Sequence, residues 1–124
     1  MKCVVLDTNF LLAPYQLKLD VISGIDDAMR EPYELCILEG TLEELHNILE
    51  SPKIKDREAA KFAFSLLEHR RFRVLPSAGL VDEALVDLDS THIIATQDSA
   101  LRSRLRKQGK ETLFIRQKKY VKMG

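Results

Sequence analysis

The sequence predicts an α/β protein: a three-layer fold with a central parallel sheet of about five strands flanked by helices. Two observations carry this. Short β-type apolar runs alternate with segments of helical periodicity along the whole chain. No Asn-Gly or Asp-Gly hairpin signal joins two of those runs, so successive strands read as parallel, each returned by a helix. A third observation marks the working end. The first apolar run, Cys3-Val4-Val5-Leu6, stops abruptly at Asp7-Thr8-Asn9. Ligands of open α/β sheets bind at the carboxyl ends of strands. A carboxylate, a hydroxyl and an amide are oxygen-bearing groups of the kind a hard cation such as Mg²⁺ prefers. Taken alone, Asp7 fits a helix N-cap or a turn equally well.

The remaining elements follow in order. Phe10 to Tyr15 is apolar but carries Pro14, and reads as a loop or short turn. Leu17, Val21, Ile22, Ile25 and Met29 recur near helical spacing and predict a helix over about 17–30, with Gly24 inside it. Tyr33–Leu38 is the second strand. Gly40-Thr41 then opens a helix, with Thr41 and Glu44 spaced as a capping box, and Ser51-Pro52 breaks it. A further helix runs over about 56–69, with Ala59, Ala60, Phe62, Ala63, Leu66 and Leu67 on its buried side. Phe72–Leu75 is the third strand. Val81, Leu85 and Leu88 predict a helix over about 80–89. His92–Ala95 is the fourth strand, and Asp98 or Ser99 caps the helix that ends at Gly109. Thr112–Ile115 is the fifth strand. The segment from about 116 onward reads as a basic tail, partly mobile at its end.

The length of 124 residues suits one domain, 1–124, with a real core. A hydrophobic fraction of 45% and a charged fraction of 31% are those of a soluble protein. No apolar run approaches the roughly 20 residues of a membrane span, and Asp7 interrupts the N-terminal run too early for a signal peptide. A cytoplasmic location is expected, with no membrane partner. Cys3 and Cys36 both lie in strand-like runs and read as buried small hydrophobes; no closely spaced pair points to zinc. His46, His69 and His92 are scattered, and no nucleophile elbow, P-loop or G-x-G-x-x-G is present.

Net charge is formally zero, yet unevenly spread. From Ser99 onward Arg102, Arg104, Arg106, Lys107, Lys110, Arg116, Lys118, Lys119 and Lys122 face a single acid, Glu111, while the first half is acid-rich. Such asymmetry fits a polyanion held by a basic part and processed at an acidic one.

Four acids sit where parallel strands would bring them to one rim. Asp7 ends the first strand, Glu44 lies one turn into the helix after the second, Asp82 opens the helix after the third, and Asp98 follows the fourth. Clustered carboxylates repel unless something compensates, and Mg²⁺ or Mn²⁺ compensates directly. Such an ion lowers the pKa of a bound water, polarises a phosphoryl oxygen and orients an in-line attack. Each acid also has a plain reading. Glu44 would complete the capping box, Asp82 would offset the helix dipole, and Asp98 would be an N-cap. Their agreement on one rim favours the metal site, and Glu43, Glu83, Asp87 and Asp89 read as solvated-face acids.

The chain resembles the PIN-domain nucleases, on the residues VVLDTNFLL at 4–12, TLEEL at 41–45, VDEAL at 81–85 and IIATQDSALRSRLRK at 93–107. The first and last are the more specific motifs. The resemblance implies a sheet ordered 3-2-1-4-5, with Asp7 and Asp98 as neighbours, and RNA cleavage with Mg²⁺ or Mn²⁺. It implies Asp7, Glu44, Asp82 and Asp98 as catalytic metal ligands, supported by Thr8 or Asn9, Thr96 and Ser99. The tight LDSTH connection after Asp82 leaves Glu83 as a rival third acid.

Within that family two branches compete. Small free-standing PIN proteins are often dimeric toxins held by an antitoxin. The ATQDSALRSRLRK segment and the FIRQKKYVKM tail look more like archaeal relatives of the small-subunit ribosomal RNA-processing nucleases, which implies a ribosome-assembly partner. Arg102, Arg106, Arg116, Lys118 and Lys119 are the candidate RNA contacts. A non-catalytic RNA-binding module is the rival of a different class. A phosphatase of the haloacid-dehalogenase type also starts with Asp after the first strand, but wants a second Asp where Asn9 stands.

Overall fold

The computed structural model describes residues 1–124. Its strands are β1 (Lys2–Leu6), β2 (Tyr33–Leu38), β3 (Phe72–Leu75), β4 (His92–Ala95), β5 (Thr112–Arg116) and β6 (Tyr120–Met123). They form one six-stranded sheet in the order β3-β2-β1-β4-β5-β6. The first five are parallel, in the expected order, and β6 adds to β5 antiparallel. β1 is central because it is the most apolar strand, with Val4, Val5 and Leu6 fully buried. The chain reverses direction beside β1, so β1 and β4 meet at a switch point.

The helices are α1 (Thr8–Leu17), α2 (Val21–Ala28), α3 (Glu39–Ile48), α4 (Ile54–His69), α5 (Val81–Asp87) and α6 (Ser99–Lys107). Alternation along the strands splits the core into two. Val4, Leu6, Ile37, Ile93 and Leu113 pack under α1, α2, α3 and α4. Val5, Cys36, Leu38 and Ile94 pack under α5 and α6, which supply Leu85, Leu101 and Leu105. No helix is long and apolar enough to cross a membrane.

Phe62, expected on the buried side of α4, is 48% exposed, because the core side of α4 is taken by Ala59, Ala60 and Ala63. Four further local expectations are corrected. Phe10 to Tyr15 is helix, not loop. Asp7 caps α1, and Phe10, Leu11, Ala13 and Pro14 are buried, which outweighs the one backbone hydrogen bond that Pro14 removes. The helix expected over 17–30 is shorter. Lys18, in the left-handed region at φ 52°, ends α1, and Asp20 caps α2 by accepting from Ser23 N at 3.0 Å. Gly24 within α2 has a packing reason, because a Cβ there would lie 2.6 Å from Val121 Cγ2 of β6.

Thr41 is not a cap. α3 starts two residues earlier, straight from β2, and its cap comes from the loop after β3. Ser77 Oγ accepts from Gly40 N at 2.9 Å, and Ser77 N donates to Glu39 Oε1 at 3.0 Å. Finally, the expected mobile tail end is β6. Gln117 and Lys118 both take left-handed φ values, 55° and 57°, and turn the chain back onto β5.

Candidate active site

The sheet delivers the acids to one place. Asp7, Glu44, Asp82 and Asp98 all line one cleft of about 410 Å³ at the carboxyl ends of β1, β2 and β4, together with Thr8, Asn9 and Asn47. A larger groove of about 1060 Å³ lies elsewhere, beside α1, α2 and α4. Its charges, Lys18, Asp20, Lys55 and Asp56, oppose one another and do not converge on an ion.

Asp7 is the anchor. Only 4% of it is exposed. Thr96 Oγ1 donates to its Oδ2 at 2.8 Å, and Thr8 N donates to its Oδ1 at 2.8 Å. Asn9 Nδ2 lies 3.4 Å from Oδ2. Burial raises the Asp7 carboxyl above the ordinary range. The Thr96 and Thr8 hydrogen bonds pull it down, and the nearby Asp82 and Glu44 carboxylates push it up again. No Lys, Arg or His pairs with it. A buried carboxylate repelled by two others is the arrangement a divalent cation relieves, and the donor set is all oxygen. The residues present therefore fit the ion the family implies.

Asp98 caps α6 and remains available. Its Oδ1 accepts from Ala100 N at 2.9 Å and Leu101 N at 3.1 Å, which leaves Oδ2 for a ligand. Cap and ligand are thus compatible roles. Glu44, on the second turn of α3, accepts a hydrogen bond from Thr8 Oγ1 and is otherwise exposed. Asp82 opens α5, exposed and facing the cleft. Glu83 is not part of the cleft lining. Arg104 of α6 grips Glu83 with two bonds, 3.0 and 3.1 Å long.

The supporting groups divide. Thr96, fully buried, holds Asp7 from behind. Asn9 Oδ1 accepts from Gln97 N at 2.9 Å and so ties α1 to the loop that carries Asp98. Ser99 is exposed at the start of α6, outside the cleft lining.

Two residues were not singled out in the sequence. Asn47 shares the Glu44 face of α3, and its i+3 spacing was the available signal. Gln97 braces the loop against β5. Its Oε1 accepts from Ile115 N at 2.6 Å, and its Nε2 donates to Ile115 O at 3.3 Å. No local pattern announces that bond.

Residues 4–118 match the family model described as a PIN-like domain. The chain belongs to this PIN-like domain family. Its relatives include Ribonuclease VapC4 of Methanocaldococcus jannaschii, 28% identical over 97% of this chain and 95% of that protein. Ribonuclease VapC9 of Archaeoglobus fulgidus is 28% identical over 98% of this chain and 88% of that protein. Among solved structures, the PIN domain endonuclease Utp24 superposes with a TM-score of 0.77 at 25% identity, over 98% of this chain and 90% of that one. The PIN fold therefore accounts for the switch point at which Asp7 and Asp98 stand.

The basic residues lie in two zones. Arg116 ends β5, and Lys118 and Lys119 form the β5–β6 turn, all exposed on the same rim as the acids. Arg102 and Arg106 lie down α6, away from it. The Arg102 guanidinium stacks 3.7 Å above the Phe114 ring, and its Nε is buried without a partner. Burial holds Arg102 below the usual arginine range, with Arg106 adding repulsion.

Proposed function

We propose that this PIN-domain protein, with residues 1–124 acting as one domain, is a cytoplasmic endoribonuclease that depends on Mg²⁺ or Mn²⁺. The observation that carries the reading is the convergence of Asp7, Glu44, Asp82 and Asp98 on one cleft around a buried, repelled carboxylate. Near full-length ribonuclease relatives support the substrate class.

In this reading Asp7 and Asp98 hold the ion from the sheet, while Glu44 and Asp82 complete its acidic wall. A bound divalent ion supplies an activated water and charge stabilisation at the scissile phosphate. Thr96 and Thr8 N fix Asp7 so that its carboxylate does not turn away, and Asn9 holds the Asp98 loop in register with it. The turn residues Arg116, Lys118 and Lys119 grip the RNA backbone beside the cleft. Arg106 extends that grip along α6, and Arg102 serves chiefly to pack α6 on β5. The test is cleavage of single-stranded RNA with Mn²⁺. Wild type cleaves, Asp7→Asn does not, and equal cleavage by both would exclude this site.

The biological setting has two branches. A processing nuclease would act on ribosomal RNA beside a ribosome-assembly partner. A toxin would act as a homodimer restrained by an antitoxin. Growth arrest on expression, reversed by a neighbouring gene product, supports the toxin branch.

A further inference from the structure

The end of the sheet opposite the acids holds a second cluster of ligand groups. β1 and β2 are adjacent and parallel, with Cys3 opposite Glu34 and Val5 opposite Cys36. Alternation therefore turns Cys3, Glu34 and Cys36 to the same face, the one covered by α5 and α6. One ligand atom from each lies within 4.8 Å of the others, and Cys3 Sγ lies 3.2 Å from Glu34 Oε1. Cysteines far apart in sequence, with no zinc-like spacing, are thus joined by strand pairing.

We propose that Cys3, Cys36 and Glu34 form a binding site for a thiophilic divalent cation, Zn²⁺ by chemistry. Two sulfurs and an oxygen suit Zn²⁺, and tetrahedral bonds of about 2.3 and 2.0 Å put the ligand atoms about 3.3–3.8 Å apart. The present spacing reaches that with side-chain movement alone. A disulfide fits less well. The register sets Cys3 diagonal to Cys36, where neighbouring residues on a sheet are about 7–8 Å apart and their Cβ atoms only somewhat closer, whereas a disulfide wants Cβ atoms about 3.8 Å apart. A reactive thiolate fits less well too, because burial raises both thiols, Cys36 to about 12.

Charge also balances. Two thiolates and a carboxylate carry three negative charges, and Zn²⁺ leaves one. Arg73 Nη1, 2.9 Å from Glu34 Oε1, neutralises it and orients the carboxylate. Binding displaces the two thiol protons to solvent. The cation enters from the Glu34 side, where that side chain is 37% exposed while Cys36 is fully buried. Asp7 lies four positions beyond Cys3, about 13 Å along the strand direction, so the site is distinct from the acids. An ion here clamps β2 to the strand that carries Asp7.

The full chain, reduced and stripped of metal, is titrated with Co²⁺ as the spectroscopic probe, and Zn²⁺ is then added. Wild type is expected to develop a thiolate-to-cobalt charge-transfer band that saturates at one ion per chain and is displaced by Zn²⁺. Asp7→Asn keeps the band, and Cys3→Ser and Cys36→Ser each lose or strongly reduce it. Glu34→Gln, at a partly exposed position that tolerates change, keeps the fold and binds at least about tenfold more weakly. The proposal is overturned if folded wild type shows no band, if Glu34→Gln binds as tightly as wild type, or if the band survives in the double serine variant.

Discussion

Thr96 Oγ1 donates a 2.8 Å hydrogen bond to Asp7 Oδ2, joining the ends of β1 and β4 across 89 residues of sequence. Both groups are buried, so the bond satisfies polar atoms that have little access to bulk water. This bond presents the Asp7 carboxylate to the cleft and opposes the rise that burial imposes on its pKa. Thr96→Val removes the donor and keeps the shape. Stability should fall by about 1–3 kcal/mol, the cost of a buried acceptor losing its partner. Activity should fall roughly 10–100-fold, as for other groups that orient a metal ligand. The acid limb of the pH–rate profile should move to higher pH, because Asp7 then ionises later. Thr96→Ser should restore all three.

The raised Asp7 carboxyl has a consequence for folding. Its folded-state pKa lies above the ordinary aspartate value of about 3.9, so between the two the native state binds more protons than the unfolded one. Stability without metal should therefore fall as pH rises through that window and stay lowered above it. Asp7→Asn removes the penalty. In chelated buffer its melting temperature should exceed that of wild type at pH 7, with the gap closing below about pH 4. Added Mn²⁺ should raise the wild-type melting temperature and leave the variant where it was. Thermal melts across pH, with and without metal, check both.

Asp82 and Glu83 stand side by side, but only Asp82 lines the cleft, while Glu83 is held by Arg104. Asp82→Asn should weaken Mn²⁺ binding and lower cleavage by tenfold or more, on the order of the loss for a disturbed metal ligand. Glu83→Gln should cleave like wild type. Parallel titrations and cleavage assays of the two variants decide between them.

Arg102 and the Lys118–Lys119 pair should differ in kind. Arg102→Ala loses the stack on Phe114 and should destabilise by about 1 kcal/mol. The salt dependence of RNA binding should stay unchanged. Lys118→Ala with Lys119→Ala should leave the melting temperature alone and flatten the salt slope by about 0.7 per lost contact. Binding isotherms of the catalytically silent protein at several salt concentrations measure this.

These residues also show what the sequence could reveal. The strand that ends at Asp7 was legible from its abrupt change of chemistry. The placement of Glu44, Asp82 and Asp98 on one rim followed once the strands were read as parallel. Their order around β1 came from family resemblance, because adjacency of β1 and β4 is a long-range property that no local pattern encodes. Pro14 signals a break locally, but burial of α1 outweighs the hydrogen bond it removes, so the helix continues through it. Thr41 misled because the cap of α3 comes from Ser77 on another loop. β6 was hidden because its turn uses Gln117 and Lys118 in a conformation that sequence assigns to Gly or Asn. The Cys3–Cys36 approach was hidden for the reason Gln97 was: pairing between distant segments makes it.

The central claim is that the four acids share a metal ion. The most direct measurement is a crystal structure of the protein soaked in Mn²⁺, with the ion located by its anomalous scattering. The account predicts a peak in the cleft within coordination distance of Asp7 and Asp98, reached by Glu44 or Asp82 directly or through water. An empty cleft in well-occupied crystals, or a peak that leaves Asp7 uncoordinated, would contradict it.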